Sequence, residues 1–352
     1  MKPLPEPFPR IRKHSAVRTS ILVVAFSILI SSCAVAPSML QPASDNAAQI
    51  SNLTKYILII AAFVFLVVEG LLLFTIFRYR GRPDAPLPKQ ITGNTPLEIG
   101  WTAFPAIILG IVFALTLGTL IVIDTPPAQA GGTSPGSGQS LNVEIIGHQW
   151  WWEFRYPSLG ITTANEMHVP ANTNIIMTIE SNDVIHSFWV PQLGRKLDAI
   201  PGRVNTNWFR SGNPGRYDGQ CAEFCGAEHA LMHTQIVVET QDQFQAWVKD
   251  QKAPIPSNLT GEAALGEQMF LSAQCTACHT IQGTKAQGQV GPDLTHFASR
   301  AKFAGGSFDN TPENVSNWIQ HPREMKPGTV MPDLGIMPNM GDAIAAFLET
   351  LK

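Results

Sequence analysis

Two short segments collect the residue types that hold metals. Cys221, Cys225, His229 and Met232 lie on one segment, and His186 sits upstream in Asp183-Val184-Ile185-His186-Ser187-Phe188. Thiolate, imidazole and thioether together favour copper, whereas carboxylate-rich sets suit hard cations. A mononuclear blue-copper site uses one thiolate, two imidazoles and a weak axial ligand. Two thiolates on one loop can instead bridge two copper ions, with an imidazole terminating each end. A Cys221–Cys225 disulfide, the usual fate of cysteine pairs in exported proteins, is one alternative. A zinc site is another, although a thioether is a poor zinc ligand.

The second segment reads Gln274-Cys275-Thr276-Ala277-Cys278-His279. C-x-x-C-H is the attachment pattern of c-type haem: two thiols add across the vinyl groups and the histidine ligates iron. Met325, Met331, Met337 and Met340 are the candidates for a sixth ligand, and His/Met ligation raises the reduction potential. His148, His168 and His233 are read as structural or surface histidines.

Both segments need an address and a scaffold. The chain has 352 residues, which suggests two or three folded units, and its net charge of −3 gives no case for nucleic acid as a partner. A charged fraction of 14% is low for a soluble protein. Arg10, Arg12, Lys13 and Arg18 precede an apolar run from Ile21 to Ile30, a secretory signal pattern over residues 1–32. The small residues before Cys33 resemble a bacterial lipobox, which would make Cys33 the lipidated mature N-terminus; a plain signal peptide or an uncleaved anchor is the alternative.

Residues 34–125 read as a transmembrane hairpin with helices at about 56–77 and 101–123, each long enough for the roughly 20 residues a bilayer needs. Arg78, Arg80, Arg82 and Lys89 place the intervening loop in the cytoplasm, so everything after Ile123 lies outside. Glu69 falls at mid-membrane depth, where an ionisable group is costly and often functional; a neutral acid facing lipid, or a pairing with another subunit, is the alternative. A Pro/Gly/Ser-rich linker spans 126–140. Alternating runs at Leu141–Ile145, Asn174–Glu180 and Thr234–Val238 predict a β-sandwich or barrel over 141–245. A second linker at 246–260 leads to a helical unit over 261–352, with helices at Gly261–Ala273 and Asp342–Leu351. Trp150, Trp151 and Trp152 cannot all enter one core from a strand, so at least one should be exposed.

The segments Asp198-Ala199-Ile200-Pro201-Gly202-Arg203, Gly219–Gly226 and Gly147–Glu153 resemble subunit II of haem-copper cytochrome c oxidases. The likeness runs from about Lys55 to about Val238. It implies a cupredoxin-type fold with a binuclear CuA centre bound by His186, Cys221, Cys225, His229, Met232 and the backbone carbonyl of Glu223. It also implies that Trp150 is the surface point where an electron enters, and that Asp198 and Arg203 face subunit I. The Glu223 carboxylate would reach a magnesium ion shared with that subunit. Glu98, before Trp101 and Pro105, matches a glutamate at the mouth of a proton-input path in subunit I. Lys326–Pro332 resembles the segment that delivers the axial methionine of class I cytochromes c, which selects Met331, and Gly291-Pro292-Asp293-Leu294 resembles the one whose proline carbonyl holds the proximal histidine, here His279.

The expected architecture is therefore a transmembrane hairpin, a cupredoxin domain and an all-α class I cytochrome c domain, as in oxidases of the caa3 type. Electrons would pass from a cytochrome c or an upstream cytochrome complex through haem c and CuA to subunit I. The location implied is a bacterial plasma membrane, multi-pass, with both redox domains on the outer face. A nitric oxide reductase with a CuA subunit, a membrane-anchored copper chaperone and a quinol oxidase subunit II are the rivals. The chaperone predicts a βαβ pattern without haem, and the quinol oxidase subunit lacks copper ligands.

Overall fold

The computed structural model describes residues 38–80, 89–126 and 140–352. Cys33, the export signal, residues 81–88 of the basic loop and residues 127–139 of the first linker lie outside the described residues.

Two long helices come first, α1 (Asp45–Arg78) and α2 (Thr95–Asp124). At about 1.5 Å per residue both exceed the roughly 30 Å of a bilayer's hydrocarbon core. Their apolar side chains face outward, with Leu66 at 68% and Phe77 at 77% exposure, a surface that lipid would cover. α1 begins well before the expected residue 56. Ser44 caps it by accepting from the Ala47 amide, and Asn46, Ala47 and Ser51 are buried. This polar opening turn packs on protein, so it carries no membrane-like signal. The hairpin is pinned to the β domain at its outer end. The Ser44 hydroxyl donates to the Leu193 carbonyl at 2.6 Å, Trp208 Nε1 to the Ile123 carbonyl at 3.0 Å, and Arg195 pairs with Asp124 at 2.7 Å.

Ten strands follow: β1 (Ser140–His148), β2 (Trp151–Tyr156), β3 (Ile161–Ala164), β4 (Glu166–Pro170), β5 (Asn174–Ser181), β6 (His186–Trp189), β7 (Leu197–Ala199), β8 (Asn205–Arg210), β9 (Gly215–Cys221) and β10 (His233–Glu239). They form two five-stranded sheets, ordered β3-β2-β1-β5-β8 and β4-β10-β9-β6-β7. The β1–β5 and β4–β10 pairs are parallel and the others antiparallel. Along β5 the period of two sends Ile175, Met177 and Ile179 inward while Ile176, Thr178 and Glu180 stay partly exposed. Trp152, Phe154, Phe188 and Phe209 complete the packed interior of the sandwich.

β10 leads into α3 (Gln241–Gln251), which occupies the stretch where a linker was expected to begin at 246. Thr240 and Gln243 form a reciprocal capping box at its start. Phe244 and Val248, four residues apart on one face, are buried against the sandwich, and Trp247 stacks on His168. The C-terminal unit holds α4 (Gly261–Ser272), α5 (Cys275–Cys278), α6 (Pro312–Gln320), α7 (Pro322–Met325) and α8 (Pro338–Leu348) around Phe270, Ile281, Phe297, Val315 and Phe347. α4 and α8 cross at Gly266, where a Cβ would stand 1.8 Å from the Ala343 carbonyl oxygen. The all-α expectation needs one amendment, a hairpin of two-residue strands β11 (Lys302–Phe303) and β12 (Phe308–Asp309).

Candidate metal centres

The sheet register assembles the first cluster. β6 and β9 are antiparallel neighbours with Phe188 opposite Cys221, which sets His186 at the start of β6 beside Cys221 at the end of β9. The β9–β10 connection then supplies Cys225, His229 on a short 3₁₀ turn, and Met232. The Cys221 and Cys225 sulfurs are 3.8 Å apart, too far for the about 2.05 Å of a disulfide. Cys221 Sγ is 4.0 Å from His186 Nδ1 and 3.2 Å from the Glu223 carbonyl oxygen. Cys225 Sγ is 3.7 Å from His229 Nδ1 and 3.8 Å from Met232 Sδ. Metal bonds to sulfur and imidazole run about 2.0–2.3 Å, so donors at these separations can share ions. His186 and Met232 are fully buried, and both thiols nearly so. All six predicted donors are thus brought together.

Asp183 was not read from the sequence, and it orients the site. Its Oδ1 lies 2.7 Å from His186 Nε2, which leaves Nδ1 aimed at Cys221. The Gln149 and Val184 amides donate to the same carboxylate and hold it in place. A carboxylate behind a ligating imidazole fixes its tautomer and raises its basicity. Burial raises the Asp183 carboxyl and the bonds from His186 and the two amides lower it, with a net downward shift. The Cys221 thiol is held far below the usual thiol range, chiefly by the hydrogen bond from Cys225 and then by His186, against burial. Cys225 is pushed up by Cys221 and by burial. The two shifts run in opposite directions, so the pair favours loss of one proton over loss of both.

The second cluster lines a cavity of about 350 Å³. Cys275, Cys278 and His279 lie on its wall and Met331 on the loop after α7, with Phe270 and Trp318 among its apolar surfaces. Of the four candidate methionines only Met331 is on that lining. His279 Nδ1 is 2.9 Å from the Pro292 carbonyl oxygen. A carbonyl can only accept, so Nδ1 carries the proton and Nε2 is left as a donor atom for metal. Burial, the main cause, lowers the His279 pKa, which favours the neutral imidazole. Gly291 has no room for a side chain, since a Cβ would stand 2.5 Å from His279 Cε1. Two half-buried cysteines, a tautomer-locked imidazole and a thioether on the lining of one apolar cavity fit a haem.

Three family models cover most of the chain: the transmembrane domain of cytochrome c oxidase subunit II over residues 16–117, its periplasmic domain over 158–241, and cytochrome c over 263–352. A cytochrome c oxidase subunit 2 from Alkalihalophilus pseudofirmus is 36% identical, with 84% of this chain and 85% of the relative aligned. The Bacillus subtilis subunit 2 is 33% identical, over 95% of this chain and 98% of the relative. The chain belongs to the cytochrome c oxidase subunit II family. The crystal structure of the periplasmic domain of subunit II from Bradyrhizobium japonicum is 37% identical over 32% of this chain and 93% of that one, with a TM-score of 0.31.

A subunit II of this kind is the membrane-anchored electron-transfer subunit of a haem-copper terminal oxidase. Membership implies a copper centre and the cytochrome c domain implies haem, and both clusters fit. Trp150 lies in the turn before β2, partly buried, with Nε1 donating to the Cys225 carbonyl at 3.1 Å. Gly305 of the cytochrome domain packs on its backbone carbonyl, and Trp150 lines the haem cavity. Trp151 and Trp152 are both buried. Asp198, Arg203 and the Glu223 and Phe224 side chains are exposed beside the copper loop. Glu98 sits in the first turn of α2, where Oε1 accepts from the Asn94 amide at 3.1 Å, so here it caps a helix. His148 bonds Glu153 at 2.9 Å and stacks on Trp151. The βαβ pattern of a copper chaperone is absent from the described residues, in agreement with a two-sheet sandwich.

Proposed function

We propose that the copper centre is binuclear, held by His186, Cys221, the Glu223 carbonyl, Cys225, His229 and Met232, and that haem c is covalently bound at Cys275 and Cys278 with His279 and Met331 as axial ligands. The two groups supply one-electron chemistry, taking electrons from an external cytochrome c-type donor and passing them on toward subunit I. The observation that carries this reading is Trp150, which lines the haem cavity and donates a hydrogen bond to the Cys225 carbonyl. One side chain therefore spans the gap between the two clusters. The surrounding residues keep both sites stiff: Asp183 behind His186, and the Pro292 carbonyl behind His279. Burial excludes water from the thiols and from Met232.

Exposed Glu223 is available to a magnesium ion shared with subunit I, and the face around Asp198 and Arg203 to subunit I itself. Glu98 is assigned to the mouth of a proton path only in that complex. Cys33 is assigned as a lipid anchor, and the location is the outer face of a bacterial plasma membrane.

The test is metal and haem analysis with optical and electron paramagnetic resonance spectra on the full chain loaded with both groups. The expected result is two coppers, one covalent haem, and a hyperfine pattern split by two equivalent copper nuclei. Splitting by one nucleus, or an oxidised Cys221–Cys225 pair without copper, overturns the binuclear assignment.

A further inference from the structure

The cytochrome domain touches the copper-ligand segment through a built contact. Lys326, five residues before Met331, is 3% exposed and sits on the lining of the haem cavity. Its ammonium donates to the Leu231 carbonyl at 3.0 Å and to the Ala304 carbonyl at 2.9 Å. Leu231 lies between His229 and Met232, so this is a bond from the haem side to the backbone of the copper loop. Glu228, also buried, holds its Oε2 3.8 Å from the same ammonium and has no other partner for that oxygen. An unpaired charge at either position would be costly, because each takes the other out of water.

The rest of the contact is shaped to fit. Ala304, Gly305 and Gly306 all have positive φ, at 51°, 71° and 75°. This left-handed turn favours glycine, and here the close approach requires it. A Cβ on Gly305 would stand 2.6 Å from the Trp150 carbonyl oxygen and 2.9 Å from Lys326 Nζ. One on Gly306 would meet His233 Cβ at 3.0 Å, and one on Gly328 would meet Ala227 Cβ at 3.0 Å. Two hydrogen bonds fix the register: the His233 amide donates to the Gly305 carbonyl at 2.8 Å, and the Ser307 hydroxyl donates to the Leu231 carbonyl at 3.1 Å. At the far edge the Ala301 amide donates to Glu166 at 2.7 Å.

We infer that Lys326 is a positioning residue, a latch that seats the haem domain in one register on the copper loop. Electron transfer between the two clusters then starts from a docked geometry. A tether alone would raise the effective concentration of the domain and leave its orientation to diffusion. The latch holds Trp150 between the two sites. This rests on the assignment of the two centres given above.

The test uses the full chain with copper and haem loaded. A light flash reduces the haem, and the re-equilibration with copper is followed optically in buffers of rising glycerol viscosity. Wild type should transfer at a rate independent of viscosity. In Lys326→Met, transfer should slow by about tenfold and fall in proportion to viscosity, as domain docking becomes the slow step. A tenfold loss of rate corresponds to about 1.4 kcal/mol of activation free energy. Spectra of both centres are recorded in the same samples, so that absent or altered centres in wild type count against the site assignment alone. Wild-type transfer that already tracks viscosity overturns the latch. So does a Lys326→Met chain with intact spectra and unchanged, viscosity-independent transfer. If the variant does not load, the wild-type viscosity series decides.

Discussion

Asp183 shows how much one side chain outside the ligand set can matter. Asn at this position would keep one acceptor oxygen where Asp183 uses two, Oδ2 for the Gln149 amide and Oδ1 for the Val184 amide, and would lose the charge behind His186. Asp183→Asn should weaken copper binding by about 10–100-fold in competition with a chelator, while His186 and both thiols remain. Glu153 gives a second case, through pH. Burial raises its carboxyl, but the bonds from His148 and Arg155 outweigh burial, and the net shift is downward from 4.5. A depressed carboxyl stabilises the fold above its unfolded pKa and loses that contribution as pH falls through the folded value. Thermal midpoints of wild type and Glu153→Gln should therefore differ most above about pH 4.5 and converge below it. A constant gap across that range would assign the effect to packing.

At the scale of elements, Gly266 marks where α4 and α8 touch backbone to backbone. Gly266→Ala should destabilise the cytochrome domain by about 3 kcal/mol or more, as overpacked cores do, and lower the yield of covalent haem measured against copper in the same preparation. Elements also show what could be read in advance. The copper loop and the haem motif stand out because their residue types lie close together in sequence, whereas Met331 stands out only through the likeness of Lys326–Pro332 to an axial-ligand segment. The strands at 140–148 and 174–181 were legible through their period of two. α3 was missed because Phe244 and Val248 form a short apolar face inside a polar, Pro-terminated stretch. The opening turns of α1 were missed because they pack on protein. Asp183 and Lys326 escaped for a different reason: their partners are set by a turn and by a docking contact, and neither leaves a spacing rule in the chain.

At the scale of the whole molecule, the sandwich and the cytochrome domain each have a core of their own, and the contact between them covers the Trp150 side of the copper loop. A chain ending after Lys252 should expose that side. Its copper should then be reduced by added soluble cytochrome c faster than the copper of the full chain, measured by stopped flow with the haem contribution subtracted. Equal rates would mean that the face stands open in solution. The copper loop itself is gripped by its carbonyls. The Cys225 carbonyl accepts from Gln149 and Trp150, and the Leu231 carbonyl from Lys326 and Ser307. Carbonyls are common to every residue type, so the exposed side chains of Ala230 and Leu231 are left without a task in holding the loop. A saturation library across this segment should recover many substitutions at those two positions and almost none at the ligands on either side, so descendants of this chain are free to drift there without disturbing the loop.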